Sequence, residues 1–454
     1  MLPNKFKERM KSVLGEDYDS FISSLEEGEA IKGLRVNLIK NSTEDFLARV
    51  DFDLTKTEYA DNGFVVEGEG FGRTPEHHSG MMYMQDPGAM ATLTALDIGS
   101  DWWVLDLCAA PGGKSSQIAE RLTDGFLLSN EYVPKRAKTV VSNFERLGVT
   151  NAIVTSLDTG RLPEMFRECF DLVLCDAPCS GEGMFRKSQE SIAEWSEENV
   201  LACAVRQGEI MENAHTLVRP GGYLLYSTCT YSPEENEGVV SAFLERHRDF
   251  SLVPVKEQLK HATSDGLPEY AGGREDIRET RRIYPHKTPG EGQYIALMKK
   301  NEASFSSTIL YKDVSIPLTS KESAVVDKFI RENIEEKLPG RVRKVGDSIV
   351  LISHGCPIPP HSVFMSGVLL GEIRGELFIP SHQFFSAYGR RFKRKLNLTA
   401  SDTRVMKYLG GEEIDADPNC RGWCAVLFEG VPLGGGKASA GRLKNHYPKG
   451  LRNK

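Results

Sequence analysis

The sequence predicts an α/β protein: a mostly parallel, doubly wound sheet set between an N-terminal α+β domain and a C-terminal β-rich module. Three observations predict it. Residues 96–300 alternate short apolar runs with stretches of helical spacing. The first apolar run, Trp103-Val-Leu-Asp-Leu107, leads straight into a turn rich in glycine. Basic charge gathers after residue 375, where strand-like runs are short and glycines frequent.

Taken in order, residues 1–95 mix short helices and strands, with a turn-rich stretch at 67–72. The middle region, 96–300, opens with the strand 103–107 and a helix over 115–122. A strand at 126–129, a helix over 135–147 closed by Gly148, and a strand at 152–155 follow. A fourth strand spans 170–175. One long helix is expected from Ile192 to Leu217, stopped by Pro220-Gly221-Gly222, then a fifth strand at 223–226 and a helix from Pro233 to Arg246. Residues 301–308 are polar and read as a linker within a small α+β connecting domain, 301–375. That domain has a helix near 321–335 and a strand at 347–353. Residues 376–454 form the basic module, with runs such as Trp423-Cys-Ala-Val-Leu-Phe428. No internal repeat or low-complexity segment is visible.

Composition limits the function. With 40% apolar and 26% charged residues, the chain is globular rather than disordered or fibrous. The net charge of −8 points away from nucleic acid only if it is spread evenly. By region it is −8 over 1–100, −7 over 101–300, 0 over 301–375 and +7 over 376–454. A basic tail on an acidic body is a footprint of nucleic-acid contact. The N-terminus has no apolar signal core, and no apolar run reaches the roughly 18 residues of a membrane span. Nine scattered cysteines suit a reduced, cytoplasmic setting. His77-His78, His354, His361, His382 and Cys420-Arg-Gly-Trp-Cys424 lack metal-ligand spacing, so no metal is expected.

The turn Cys108-Ala109-Ala110-Pro111-Gly112-Gly113-Lys114 opens a helix, where backbone approaches a ligand closely. It is not the dinucleotide pattern, because the third glycine is missing and Pro111 sits inside. Glu131 ends the second strand, where a carboxylate can accept both hydroxyls of a ribose. Asp158 follows the third and could accept from an adenine amino group. This set suits an adenosine cofactor without pyrophosphate, namely S-adenosylmethionine.

Two further turns end the fourth and fifth strands: Asp176-Ala-Pro178-Cys179-Ser-Gly181 and Ser227-Thr-Cys229-Thr-Tyr-Ser-Pro233. A single cysteine in such a place is most often an inert thiol. Two beside a methyl donor suggest pyrimidine chemistry. C5 of cytosine is a poor nucleophile until a thiolate adds at C6. Cys229 has the better setting for a thiolate, just ahead of a helix start, with Lys114 as a nearby cation; the acids of that first turn oppose it. Asp176 could bond the base edge, either protonated or through a donating partner.

Ala109-Ala-Pro-Gly-Gly-Lys114, Asp176-Ala-Pro-Cys-Ser-Gly-Glu-Gly-Met-Phe-Arg-Lys187 and Tyr226-Ser-Thr-Cys-Thr-Tyr-Ser-Pro-Glu-Glu-Asn236 resemble the motifs of RNA cytosine-5 methyltransferases of the NOL1/NOP2/Sun type. Arg35-Val-Asn37, Gln85-Asp-Pro-Gly-Ala89 and Arg282-Ile-Tyr-Pro-His-Lys287 extend the resemblance. The tail, with Pro432-Leu-Gly-Gly-Gly-Lys437 and Lys444-Asn-His-Tyr-Pro-Lys-Gly-Leu-Arg452, is similar to the PUA-like module of bacterial RsmF-type ribosomal RNA methyltransferases. The resemblance implies a Rossmann-like methyltransferase domain over 96–300 and an RNA-contacting domain over 1–95. It implies Cys229 as nucleophile, Cys179 in product release, Asp176 on the base and Pro178 shaping its pocket. Glu131, Arg136 and Asp158 would line the cofactor. DNA cytosine-5 methyltransferases use the Pro-Cys cysteine as nucleophile instead, so the role of Cys229 discriminates.

RNA contacts are expected from Arg35, from Arg186 and Lys187 after the catalytic turn, and from Arg282, Tyr284 and Lys287, a basic–aromatic mixture. Arg390, Arg391 and Lys393 in the densest basic run, with Lys437 and Lys444, complete the set. The expected enzyme is a monomer acting on 16S ribosomal RNA or the small subunit. Transfer RNA is the alternative substrate. An amino-group methyltransferase would need an Asp/Asn-Pro-Pro-aromatic turn in place of Asp176-Ala-Pro-Cys179. A non-catalytic assembly factor would not need both cysteines.

Overall fold

A computed structural model describes residues 1–304, 307–353 and 355–453, so His354 and part of the expected linker lie outside the described residues. The middle region holds β1 (Trp103–Asp106), α1 (Gly113–Ala119), β2 (Phe126–Asn130), α2 (Pro134–Leu147) and β3 (Ala152–Thr155). It continues with β4 (Phe170–Asp176), α3 (Glu197–His215), β5 (Val218–Thr228), α4 (Glu237–Arg246) and β6 (Gln293–Lys300). The strand order is β3-β2-β1-β4-β5-β6. Neighbours from β3 to β5 run parallel, and β6 is antiparallel to β5. Val104, Leu105, Leu127, Leu128, Val173 and Leu174 are fully buried, which is why these strands read as unbroken apolar runs. The strand order turns back at the junction of the parallel strands β1 and β4, so their carboxyl ends bound a crevice.

Three elements differ from the sequence expectation. The long helix is two, Gln189–Glu194 and α3. Trp195 is extended, and the Ser196 hydroxyl accepts from the Asn199 N–H at 3.1 Å, restarting the helix. The helix after Cys229 begins at Glu237, not Pro233. Asn236 is held out of helical geometry by its side chain, which accepts from Thr228 Oγ1 and donates to the Thr230 carbonyl. β5 starts early, at Val218, which pairs with Phe170 of β4; Pro220-Gly221-Gly222 falls in a register shift, and pairing with β4 and β6 on both sides begins at Tyr223.

Four short antiparallel strands form the N-terminal sheet. Ahead of them, helices Asn4–Leu14 and Tyr18–Glu26 bury Phe6, Met10, Phe21 and Leu25 against Phe185, Trp195, Tyr231 and Tyr284. The connecting region begins with the helix Ser320–Asn333, opened by a capping box between Thr319 and Glu322. Its strands Val368–Arg374 and Leu377–Pro380 form a hairpin, so the expected boundary at 375/376 cuts through one sheet. Val363–Ser366 leaves that region to pair with β3, covering an otherwise open edge. The C-terminal five-stranded sheet shares a core with the first domain. Leu34, Val36, Phe46 and Met82 cluster with Leu398, Tyr408, Val426 and Leu433. His78 bonds both Tyr447 and Asn453 at 2.8 Å.

Candidate active site

The crevice is built from three strand ends. β1 ends at Asp106, whose buried carboxylate accepts from Ser115 Oγ at 2.5 Å and the Cys108 N–H at 3.3 Å. Burial pushes this carboxyl up to about 7. The turn after it depends on Gly112, whose φ of 106° is costly for any residue with a Cβ. Glu131, at the end of β2, is 3% exposed. It accepts from the Ala110 and Val133 N–H groups at 3.3 and 3.0 Å, tying the turn to β2. Arg136 lies 3.6 Å from Glu131 and donates to the Ala110 carbonyl. Asp158 is exposed after β3 and caps the next turn through the Gly160 N–H. A close backbone turn and acids at successive strand ends fit a cofactor bearing vicinal hydroxyls and an amino group.

β4 ends at Asp176. Its two oxygens accept from Lys114 Nζ at 2.9 Å and Ser227 Oγ at 2.6 Å. Lys114 and Asp176 thus form a partly buried ion pair at the end of β4. Burial alone would lower the Lys114 ammonium, but Asp176, Cys229 and Asp106 outweigh it and hold it above the ordinary lysine value. The Cys179 and Cys229 sulfurs lie 3.3 Å apart, both half-buried. The Cys229 sulfur and burial push the Cys179 thiol well up. Burial does the same for Cys108 and Cys175.

Several expected RNA contacts are spent inside the protein. Arg35 is 1% exposed and donates to Glu120, Gln85 and Ser116. Arg282 is 2% exposed and doubly bonded to Glu237. Tyr284 stacks on Tyr231 and is buried. The Arg186 side chain is buried on Glu291; Lys187 and Lys287 stay exposed, each in an ion pair, with Asp86 and Asp17. The run from 390 to 395 is a staple. Arg390 donates to the Lys40 and Gly430 carbonyls and Arg391 to that of Lys337. Lys393 and Arg394 take the Arg331 and Glu332 carbonyls, the unpaired acceptors at a helix end. Lys437 and Lys444 are different. They are cross-strand neighbours, Lys437 also opposite Trp423, and all three share one sheet face. Both lysines are exposed and meet no carboxylate among the described residues.

The sequence reading missed two carboxylates, Glu182 and Glu235, which are fully buried between the cysteine turns. It also missed Asp106, Ser227 and Gln207. The one available signal was Gly181-Glu182-Gly183, an acid in a turn where a solvated charge was the ordinary reading. Metal was not expected. Among the described residues His215, His247 and Asp249 come within 4.8 Å of one another, away from these turns. Their ring nitrogens already meet Asp249 and Glu212.

Sheet order, crevice and the C-terminal module define the class: a Rossmann-like methyltransferase with two adjoining cysteine turns at the crevice and a PUA module at its C-terminus. The family described as 16S rRNA methyltransferase RsmB/F matches residues 93–299, the N-terminal domain of 16S rRNA methyltransferase RsmF matches 2–87, and the RsmF PUA domain matches 395–453. Ribosomal RNA small subunit methyltransferase F of Vibrio parahaemolyticus is 30% identical, covering 99% of this chain and 97% of its own. That of Aeromonas salmonicida is 29% identical over the same shares. A methyltransferase homologue from Pyrococcus horikoshii superposes with a TM-score of 0.57 and 30% identity, over 66% of this chain and 95% of its own. The chain belongs to the ribosomal RNA small subunit methyltransferase F family.

Proposed function

We propose that this protein methylates C5 of a cytosine in 16S ribosomal RNA, with S-adenosylmethionine as donor, acting as a monomer. The observation that carries the reading is the pair of sulfurs 3.3 Å apart beside the Lys114–Asp176 pair, at the carboxyl edge of β1 and β4. The cofactor supplies an electrophilic methyl group. Glu131 would accept from its ribose hydroxyls and Asp158 from its adenine amino group, and Arg136 and the turn 108–114 would help hold it.

Cys229 adds as thiolate to C6 of the flipped cytosine, and the C5=C6 electron pair shifts to C5. Asp176 accepts from the base's amino group, held in place by Lys114 and Ser227, while Pro178 shapes the pocket wall. C5 takes the methyl group, its proton leaves to a base, and the C6–sulfur bond breaks as C5=C6 re-forms. Cys179 assists that last step. RNA is held by the Trp423, Lys437 and Lys444 face, with cations for phosphate and a ring for a base.

Purified protein is expected to transfer labelled methyl groups to 16S ribosomal RNA or small subunits, located as 5-methylcytosine by bisulfite sequencing. Cys229→Ala is expected to abolish transfer, and Cys179→Ala to leave a denaturation-resistant RNA–protein adduct. Full activity in Cys229→Ala would refute the nucleophile assignment.

A further inference from the structure

Two buried carboxylates connect the cysteine turns, and they do so reciprocally. Glu182 belongs to the Cys179 turn and reaches into the Cys229 turn. It accepts from Thr230 Oγ1 at 2.8 Å, the Tyr231 N–H at 2.9 Å and Ser232 Oγ at 2.7 Å, besides Trp195 Nε1 at 2.8 Å. Glu235 follows the Cys229 turn and reaches back, accepting from the Ser180 N–H at 3.0 Å, next to Cys179. Gln207 of α3 donates to Glu235 and to the Pro178 carbonyl, bracing the same turn from below.

Two more contacts close the seam. Ser180 Oγ meets Thr230 Oγ1 at 2.9 Å, and the Gly183 N–H donates to the Cys229 carbonyl at 2.7 Å. A side chain at Gly183 would collide with that carbonyl, so the residue is fixed as glycine by the closeness of the two turns.

We propose that Glu182 and Glu235 are positioning residues that set the separation of Cys179 and Cys229, and so the handover from adduct formation to adduct release. Neither is assigned a contact with substrate. The inference rests on the two-cysteine reading above. A carboxylate is suited to the task because it takes several donors at fixed angles, and buried charge-assisted bonds are stiff and short. Positional error is expensive here: a shift of about 1 Å in a reacting group can cost on the order of 10²-fold in rate.

The test reads the sulfur separation through a linkage rate, in the full chain, without RNA. Diamide takes two electrons and two protons at its azo bond as two thiols join, so its rate of forming the Cys179–Cys229 disulfide, followed as the linked peptide by mass spectrometry, reports how well the sulfurs are held. The wild-type protein is expected to link readily. Glu235→Ala and Thr230→Val are expected to slow linkage at least about tenfold. Each should also lower kcat by a similar factor, with KM for RNA and cofactor affinity unchanged. Glu235→Gln keeps an oxygen for the Ser180 N–H and is expected to stay within about threefold of wild type. Glu182→Ala strands four buried donors and is expected to unfold locally, which is why Thr230→Val stands beside it. Linkage at the wild-type rate in both Glu235→Ala and Thr230→Val overturns the proposal. Failure of methyl transfer by the wild-type protein would instead refute the functional reading and leave the linkage result intact.

Discussion

Replacing Arg282 by Ala separates two accounts of that residue. Its guanidinium donates to Glu237 at 2.7 and 2.5 Å and to the Tyr231 carbonyl at 2.9 Å, and it lies over the Tyr284 and Tyr294 rings. Both members of the pair are 2% exposed or less. Removing one partner of a buried pair leaves the other charge uncompensated, at a cost of about 3–5 kcal/mol. The catalytic domain is therefore expected to unfold at distinctly lower denaturant, with the loss in that range. The salt dependence of RNA binding by the folded variant should be unchanged, since a phosphate contact would contribute about one unit to its slope. Denaturant titration by tryptophan fluorescence and RNA binding over a salt series measure the two quantities. A loss below about 1 kcal/mol together with a slope reduced by about one would show that Arg282 faces RNA and that the burial argument is wrong.

Glu131→Ala should weaken cofactor binding measured by calorimetry by about 1.5–3 kcal/mol, the usual worth of charge-assisted hydrogen bonds, while RNA affinity holds. The double change Lys437→Glu and Lys444→Glu should weaken RNA binding and flatten its salt slope by about two, with a melting temperature near that of wild type; an unaltered slope would place the RNA elsewhere. The carboxyls of Glu235 and Asp106 are each pushed by burial up to about 7. Both hold protons more tightly folded than unfolded, so stability is expected to fall as pH rises from the ordinary carboxylate range through about 7. Glu235→Gln should reduce that fall in urea titrations at several pH values; a profile identical to wild type would mean that Glu235 does not titrate there.

The sheet was legible because its strands are buried on both faces and punctuated by glycine and proline; every parallel strand lies where its apolar run stands. The two cysteine turns were legible as neighbours for the same reason, since strand ends are where short motifs meet. What the chain does not display locally is who pairs with whom. Arg35 reads as a cation beside an apolar run, yet its partner Glu120 is on another element. Arg186 and Glu291, or Arg282 and Glu237, are likewise joined only by the fold. A basic run such as 390–395 looks the same whether it faces phosphate or the carbonyls of a helix end. Glu234 and Glu235 read as acids opposing a thiolate, whereas Glu235 turns inward to the Cys179 turn and Glu234 outward to Arg9.

The core shared by the first domain and the last module has a consequence for synthesis. Leu34, Val36 and Phe46 emerge early, but Leu398, Tyr408 and Val426, against which they pack, are made more than 350 residues later. At about 5–20 residues per second, the N-terminal sheet waits roughly 20–70 s with that face uncovered. A nascent chain halted before residue 395 should therefore hold its first domain open to chaperones and proteases, and a stop codon in the tail should damage the opposite end of the protein.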